Sequence, residues 1–365
     1  MKNTIYLVTG AAGLLGSNIS LELIAQNKKV RTLVLPGDPA ADNVPQEAEI
    51  VYGDVCDIDS LATFFSVPAD SEIIVIHSAS IVAVSPEPSQ KVYDVNVTGA
   101  KNIVDMCVSH NVKKLVYISS TGAIKELPAG EVIAEPSAFY PDEVVGFYSK
   151  TKALATQYVL ETVEKTGLDA SIVCPSGIFG PNDYAFGPVA QFIIKYCSGA
   201  MPVGVEGSFN SVDVRDLAAG VISCTEKGRK GELYIMSNEI VSMRQMFDII
   251  SETSGAPRVE TILTVDQMRK MAAQKGGGAL HAADEKELEF SMYNMTRNNN
   301  FSSAKAEREL DYRIFFRRFQ RLFPLRWNGL QALEKSISLR LPDFSISNLK
   351  RLPLFNSGSP FFIRT

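Results

Sequence analysis

Along the first half of the chain, short apolar runs alternate with longer amphipathic stretches. The runs at 4–8, 30–35, 49–52, 73–76, 115–118 and 170–174 are rich in Ile, Val and Leu. Their length and near-continuous apolarity predict strands buried on both faces. Between them, helical patterns run over 14–26, 58–65, 90–110 and 149–166. Strand and helix in strict alternation predict an α/β chain, a doubly wound parallel sheet with helices on both sides. Beyond Gly180-Pro181 the rhythm breaks into short strands and helices near 186–198 and 243–254, which predict a smaller C-terminal lobe. The expected division is a sheet domain over 1–180, with segments at about 207–240 returning to it, a smaller lobe over 181–312, and a tail over 313–365.

In open parallel sheets the ligand crevice lies beyond the C-terminal ends of the strands. Gly10–Gly16, Asp54, His77–Ser80, Ser119–Thr121 and Pro175–Gly177 all follow predicted strands, so they should converge on one edge. The first of these is a turn, Thr9-Gly10-Ala11-Ala12-Gly13-Leu14-Leu15-Gly16, between a strand and a largely apolar helix. Strand, glycine turn and helix N-terminus together aim backbone N–H groups and the helix dipole at an anion, as a pyrophosphate requires. The spacing is Gly-x2-Gly-x2-Gly. An ordinary strand–turn–helix is the alternative reading, and the flanking strand and helix favour the cradle. A secretory leader starting at Lys2 is disfavoured, because three glycines interrupt its apolar stretch.

Tyr148 and Lys152 stand four residues apart in a predicted helix and so share a face. A lysine ammonium there can favour the ionised phenol, whose free pKa of about 10 is too high for acid–base work near neutrality. Ser120, or Thr121 as the alternative hydroxyl, can hold a substrate oxygen while the Tyr proton moves. These groups suit hydride transfer to or from a carbonyl.

Composition narrows the field. An apolar content of 45% and a mean hydropathy of +0.04 describe a globular chain, and no apolar run is long enough to span a bilayer. Five scattered cysteines without a C-x-x-C predict reduced thiols in a cytoplasmic protein, and three distant histidines argue against a metal site. The net charge of −5 argues against nucleic acid as a partner. Charge is uneven: residues 313–365 hold ten Lys/Arg and two acids, a net of +8.

The chain resembles the extended short-chain dehydrogenases/reductases of the NAD-dependent epimerase/dehydratase superfamily. Its dihydroflavonol reductase-like and 3β-hydroxysteroid dehydrogenase-like branch looks closest. The resemblance runs from Ile5 to about Tyr312 over nine ordered segments. They are T-G-A-A-G-L-L-G at 9–16, G-D-V-C-D at 53–57, I-H-S-A-S at 76–80, N-V-T-G-A-K-N at 96–102, V-Y-I-S-S-T at 116–121, Y-S-K-T-K at 148–152, C-P-S-G-I-F-G-P at 174–181, V-D-V-R-D-L-A at 212–218 and K-A-E-R-E-L-D-Y at 305–312.

The resemblance implies an NAD(P)-dependent oxidoreductase with a Rossmann domain and a substrate-binding lobe. Ser120, Tyr148 and Lys152 would be its catalytic residues. Gly10, Ala12, Gly13, Leu14, Leu15, Gly16, Asp54, Val55, Ser78, Ala79, Ser80, Asn96, Pro175 and Ser176 would bind the dinucleotide together with Tyr148 and Lys152. Asp54 resembles the residue that meets the adenine amino group, with a turn aspartate as the alternative. Asn96 resembles an asparagine that ties the central helix to the site, a positional role. Asp213 and Arg215-Asp216 resemble an inter-lobe hinge, and a surface salt bridge accounts for them equally well.

Cys174 replaces the arginine usual before Pro175, and Pro-Ser-Gly-Ile at 175–178 lacks the asparagine of many sugar-nucleotide epimerases. Both departures favour reduction of a ketone or aldehyde, or oxidation of the alcohol, on a fairly apolar small molecule. A nucleotide-sugar epimerase or dehydratase with retained NAD, and a non-catalytic dinucleotide sensor, are the competing readings. At the end of the second strand neither Val34 nor Leu35 is acidic or basic, so the expectation is NAD(H) or NADP(H) with a slight lean to NADP(H). A homodimer stays open. The tail spaces Phe315, Phe319, Phe323 and Trp327 every four residues among arginines. A docked helix followed by disorder, an altered terminus and a membrane contact are the readings of it, in that order.

Overall fold

The computed structural model describes residues 3–275 and 282–315. In chain order the first part contains β1 (Asn3–Thr9), α1 (Leu14–Ala25), β2 (Lys29–Val34), β3 (Glu49–Tyr52), α2 (Ile58–Phe65), β4 (Ser71–His77), α3 (Gln90–Tyr93), α4 (Ala100–Ser109), β5 (Lys114–Ile118), α5 (Phe147–Thr166), β6 (Ala170–Pro175) and β7 (Gly177–Phe179). There follow α6 (Pro188–Cys197), β8 (Gly204–Val205), β9 (Ser208–Asp213), α7 (Val214–Lys227), β10 (Leu233–Met236), β11 (Glu239–Ser242), α8 (Met243–Ser254), β12 (Ile262–Leu263), α9 (Val265–Lys275), α10 (Ala282–Thr296) and α11 (Ala304–Leu310).

Seven strands form one parallel sheet in the order β10-β6-β5-β4-β1-β2-β3. Alternate residues explain its two apolar faces. Leu7, Val75, Leu115, Tyr117 and Ile172 pack with residues of α2, α4 and α5. Tyr6, Val8, Ile74, Ile76, Val116 and Val173 pack with residues of α1, α7 and α11. Chain order reverses between β1 and β4, which makes their C-terminal ends the switch point where an open sheet binds its ligand. In register, Thr9 faces His77 and His77 faces Tyr117, one rung across β1, β4 and β5 at that edge.

The described residues fall into two compact units, 3–187 with 210–239 and 298–315, and 188–209 with 240–297. Compared with the expected bounds, 181–187 and 298–312 lie with the sheet. In the second unit Phe247 stacks on Phe192 and tilts against Tyr196, and α8 opens with a capping box between Ser242 and Gln245.

The helix expected over 90–110 runs without interruption from Gln90 to Ser109, with a wider π turn, Asp94–Gly99, between α3 and α4. Here Asn96 turns inward to bond Ile81, and Gly99 lies so close to Val55 that a Cβ would stand 2.6 Å from the valine Cγ2. Asp213 forms the salt bridge with Arg215, with its carboxylate inside the protein and the guanidinium partly exposed. It is fully buried as the N-cap of α7, accepting from the Arg215 N–H at 2.8 Å and from its guanidinium at 2.6 and 2.9 Å.

Among the described residues no helix is long and apolar enough to cross a membrane, and no group of three or more His, Cys, Asp or Glu could hold a metal ion. All five cysteines are free. The tail beyond 315 lies outside the described residues, so its aromatic spacing goes without a structural account. Phe315 itself is exposed, its N–H donating to Asp216.

Candidate active site

Every proposed site residue belongs to the sheet-bearing unit. The glycine turn is shaped by two close approaches. Gly10 has φ +72°, and a Cβ there would stand 2.7 Å from the Ala79 nitrogen. A Cβ on Gly16 would fall 2.2 Å from the Gly10 carbonyl oxygen. Gly13 differs, since a Cβ on it would meet only that same oxygen, at 3.4 Å. Gly13 is also the N-cap of α1, which has neither a side-chain cap bond nor an acidic residue in its first turn. The first N–H groups of the helix are therefore not taken by a capping side chain, which fits the pyrophosphate of a dinucleotide. Leu15 and Ala12 are buried in the core behind the turn, and Leu14 packs partly against it.

The end of β4 is sewn to this turn. The Ser78 hydroxyl donates to the Thr9 carbonyl at 2.6 Å, and the Ala79 N–H to the Thr9 hydroxyl at 3.2 Å. Ser80 is half-buried beside them in the chain. Asn96 spends its amide on the protein, donating to Ile81 O and Thr151 Oγ1 and accepting from the Ile81 N–H. Asp54 makes a turn, accepting the Cys56 N–H at 2.9 Å on one carboxylate oxygen. Val55 is buried, and its carbonyl accepts from Asn102. Pro175 closes β6, its carbonyl accepting from Thr121 Oγ1 at 3.2 Å. Ser176 is buried with no partner for its hydroxyl.

Ser120, Tyr148 and Lys152 come together at the ends of β5 and α5. Ser120 accepts the Gly122 N–H at 3.0 Å, and its hydroxyl is near enough to the Tyr148 phenol to favour the ionised form. Lys152 is buried, its ammonium donating to Ile118 O at 2.9 Å and lying 5.4 Å from the Tyr117 ring centroid. Thr121, the alternative hydroxyl, is turned to Pro175, and Ser119 is paired with Thr156 at 2.7 Å.

The titration behaviour departs from the expectation. Burial pushes the Tyr148 phenol up to about 12, opposed only by the nearby Ser120 hydroxyl. Burial likewise pushes Lys152 down to about 7. Desolvation disfavours both charged forms and here outweighs the attraction that helical spacing alone suggested.

Beneath the site, Thr9 and His77 lie at the edge where the sequence placed them, and Tyr117, which it did not single out, joins them. Thr9 Oγ1 lies 2.7 Å from His77 Nδ1, the His77 ring stacks on Tyr117 at 5.8 Å, and the Tyr117 hydroxyl has no partner. Burial holds His77 neutral, its pKa lowered to about 3. No sequence signal reveals that these three share one rung, since register is set only on pairing. Also missed was the tie between Asn18 on α1 and Pro181 and Asn182 beyond β7.

Comparison with known proteins agrees with this architecture. The sequence model of the 3-beta hydroxysteroid dehydrogenase/isomerase family matches residues 7–224. Sterol demethylase protein B of Methylococcus capsulatus is 31% identical over 270 residues, 74% of this chain and 80% of that protein. A putative dihydroflavonol 4-reductase of Synechocystis is 28% identical over 256 residues, 69% of this chain and 73% of that protein. The crystal structure of dTDP-glucose 4,6-dehydratase from Bacillus anthracis in complex with NAD superimposes with a TM-score of 0.70. It is 18% identical and covers 91% of this chain and 98% of its own, a likeness of fold.

Proposed function

Since the chain belongs to the 3-beta hydroxysteroid dehydrogenase/isomerase family and is an oxidoreductase of the nicotinamide-dinucleotide type, we propose its reaction. It reduces a ketone or aldehyde, or oxidises the corresponding alcohol, on a fairly apolar small molecule. The observation that carries this is the gathering of Ser120 just beyond β5 with Tyr148 and Lys152 one turn apart on α5, the Lys152 ammonium reaching back to Ile118 O at 2.9 Å.

A dinucleotide held there would supply hydride donor and acceptor chemistry at its nicotinamide. Ser120 holds the substrate oxygen. Tyr148, protonated through neutral pH, donates its phenolic proton to that oxygen during reduction and recovers it during oxidation. Lys152 donates to the ribose hydroxyls and supplies positive charge near the phenol. The N–H groups opening α1 take the pyrophosphate, and Gly13 leaves room for it.

An apolar substrate is supported by Val82 and Val84 in the loop after β4 and by Tyr140 and Val145 in the loop before α5, all exposed. The name of the Methylococcus relative makes sterols the first class to assay. For the dinucleotide the reading leans to NADP(H). No carboxylate ends β2, where Leu35 is exposed, and the Asp38 carboxylate accepts the Ala40 N–H in its own turn.

The test is a panel of sterols, flavonoids, aldehydes and nucleotide sugars with each dinucleotide. A net change in reduced nicotinamide with a sterol or flavonoid supports the reading. Turnover of a nucleotide sugar without such a change, on tightly retained NAD, would replace it with epimerisation.

A further inference from the structure

Lys152 is the buried cation of the proposed site, and no carboxylate is paired with it. Its one hydrogen bond to protein goes to the Ile118 carbonyl, at 2.9 Å. Its other neighbour is a ring: the ammonium lies 5.4 Å from the centroid of Tyr117 on β5, the next strand residue but one before Ser119. That ring is itself packed against a second ring. His77 stacks on it at 5.8 Å and 30°, and Thr9 Oγ1 lies 2.7 Å from His77 Nδ1. Thr9, His77 and Tyr117 are register partners on β1, β4 and β5, so the support is a single rung of the sheet. Thr9 directly precedes the glycine turn.

Beside the Ile118 carbonyl, this ring is the group that faces the ammonium without a charged competitor among the described residues. From β6, Cys174 faces Lys152, and burial keeps it a neutral thiol with its pKa up at about 12. From β4, His77 is neutral. On α5 itself Tyr148 is protonated. Glu135 acts on Cys174, with one oxygen taken by the Ile235 N–H. The π turn reaches α5 through neutral Asn96 at Thr151, and Asp105 and Lys101 of α4 engage Tyr158 further along the helix. The negative face of an aromatic ring is attractive to a desolvated ammonium. The Tyr117 hydroxyl is buried and makes no hydrogen bond, so what the position uses is the ring.

We infer that Tyr117 is a positioning residue for the proposed reaction: its ring face keeps Lys152 in the ammonium form and fixes it relative to the dinucleotide turn through His77 and Thr9. The inference rests on the reading of Lys152 as a dinucleotide-binding residue.

The test varies the ring's charge at constant shape. Tyr117→Phe sets the baseline in the full chain. Phenylalanine analogues carrying three and five ring fluorines, introduced at 117, weaken the negative face in steps with almost no change of volume, so the fold is kept. Lysine labelled with 13C at Cε reports the titration of each lysine, and the signal missing in Lys152→Met identifies the one of interest. The expected result is a stepwise fall in the Lys152 pKa of about 0.5–1.5 units from Phe to the fluorinated analogues. The affinity for NADPH and NADH, read by fluorescence across pH, should weaken at lower pH by the same displacement. A merely structural role would not move either titration. A Lys152 pKa indifferent to fluorination overturns the inference. If Lys152→Met binds both dinucleotides like the parent, the reading of Lys152 falls instead, whatever fluorination does to its pKa.

Discussion

Asn18 and Asn182 join side chain to side chain, the Asn182 amide donating to Asn18 Oδ1 at 3.2 Å across 164 residues of sequence. Asn18 also donates to the carbonyls of Leu14 and Pro181, at 2.8 and 3.1 Å. One buried side chain thus ties the first turn of the dinucleotide helix to the loop after β7. Asn182 holds φ +70°, a conformation asparagine tolerates better than most residues. Asn18→Ala removes these bonds and leaves the Pro181 carbonyl short of a partner. The expected cost is about 1–3 kcal/mol of stability, with a raised KM for dinucleotide. A urea titration and KM measurements check both. An unchanged KM at lowered stability would confine the tie to a structural role.

The glycines of the turn make separable predictions. Gly16→Ala drives a Cβ to 2.2 Å from the Gly10 carbonyl, so the turn must shift. A loss of about 1–3 kcal/mol is expected together with weak dinucleotide binding. Gly13→Ala meets nothing closer than 3.4 Å and has φ −86°, so the fold should hold with its Tm nearly unchanged. Its methyl group would nevertheless stand at the mouth of α1, and dinucleotide affinity should fall at least tenfold. Equal binding by Gly13→Ala and the parent would remove the helix N-terminus from the site.

Tyr148→Phe is expected to lower kcat by about 10²–10⁴ while leaving dinucleotide affinity within a fewfold. Tyr148 is half-buried with its phenol near the Ser120 hydroxyl, so loss of the phenolic oxygen disturbs little else. Single-turnover hydride transfer with an accepted substrate is the measurement. Full activity in the variant would require another proton donor.

Much of this was legible in the sequence because it is local. Each of the six expected strands is present within two residues at either end, since apolar runs of that length fit a sheet covered on both faces. The switch point followed from strand–helix alternation, and the glycine turn from its place between β1 and α1. What stayed hidden depends on pairing between distant segments. Nothing near Tyr117 announces that His77 and Thr9 will share its rung, because register across β1, β4 and β5 is set only when the sheet assembles. The π turn in the 90–110 helix follows from contacts of Asn96 and Gly99 with Ile81 and Val55, again tertiary. The direction of the Tyr148 shift was misread for a related reason. Helical spacing reveals a neighbouring charge but not the loss of water around it.

Burial of Lys152 makes a prediction about stability and pH. The folded chain holds its pKa at about 7, against 10.5 when exposed. Between those values the unfolded chain binds the extra proton, so this group's contribution to stability rises with pH. Its cost is therefore complete below about pH 7 and disappears as pH climbs towards 10.5. Lys152→Met keeps an unbranched apolar side chain in the same space and removes the buried charge. It should be more stable than the parent at neutral pH, by on the order of a few kcal/mol less the lost bond to Ile118 O. That advantage should shrink as pH rises. Urea midpoints of the dinucleotide-free proteins at about pH 6.5 and about pH 9.5 provide the comparison. A difference independent of pH would mean that Lys152 is not desolvated in the folded chain, and the electrostatic account of the site would need rebuilding from Tyr148 alone.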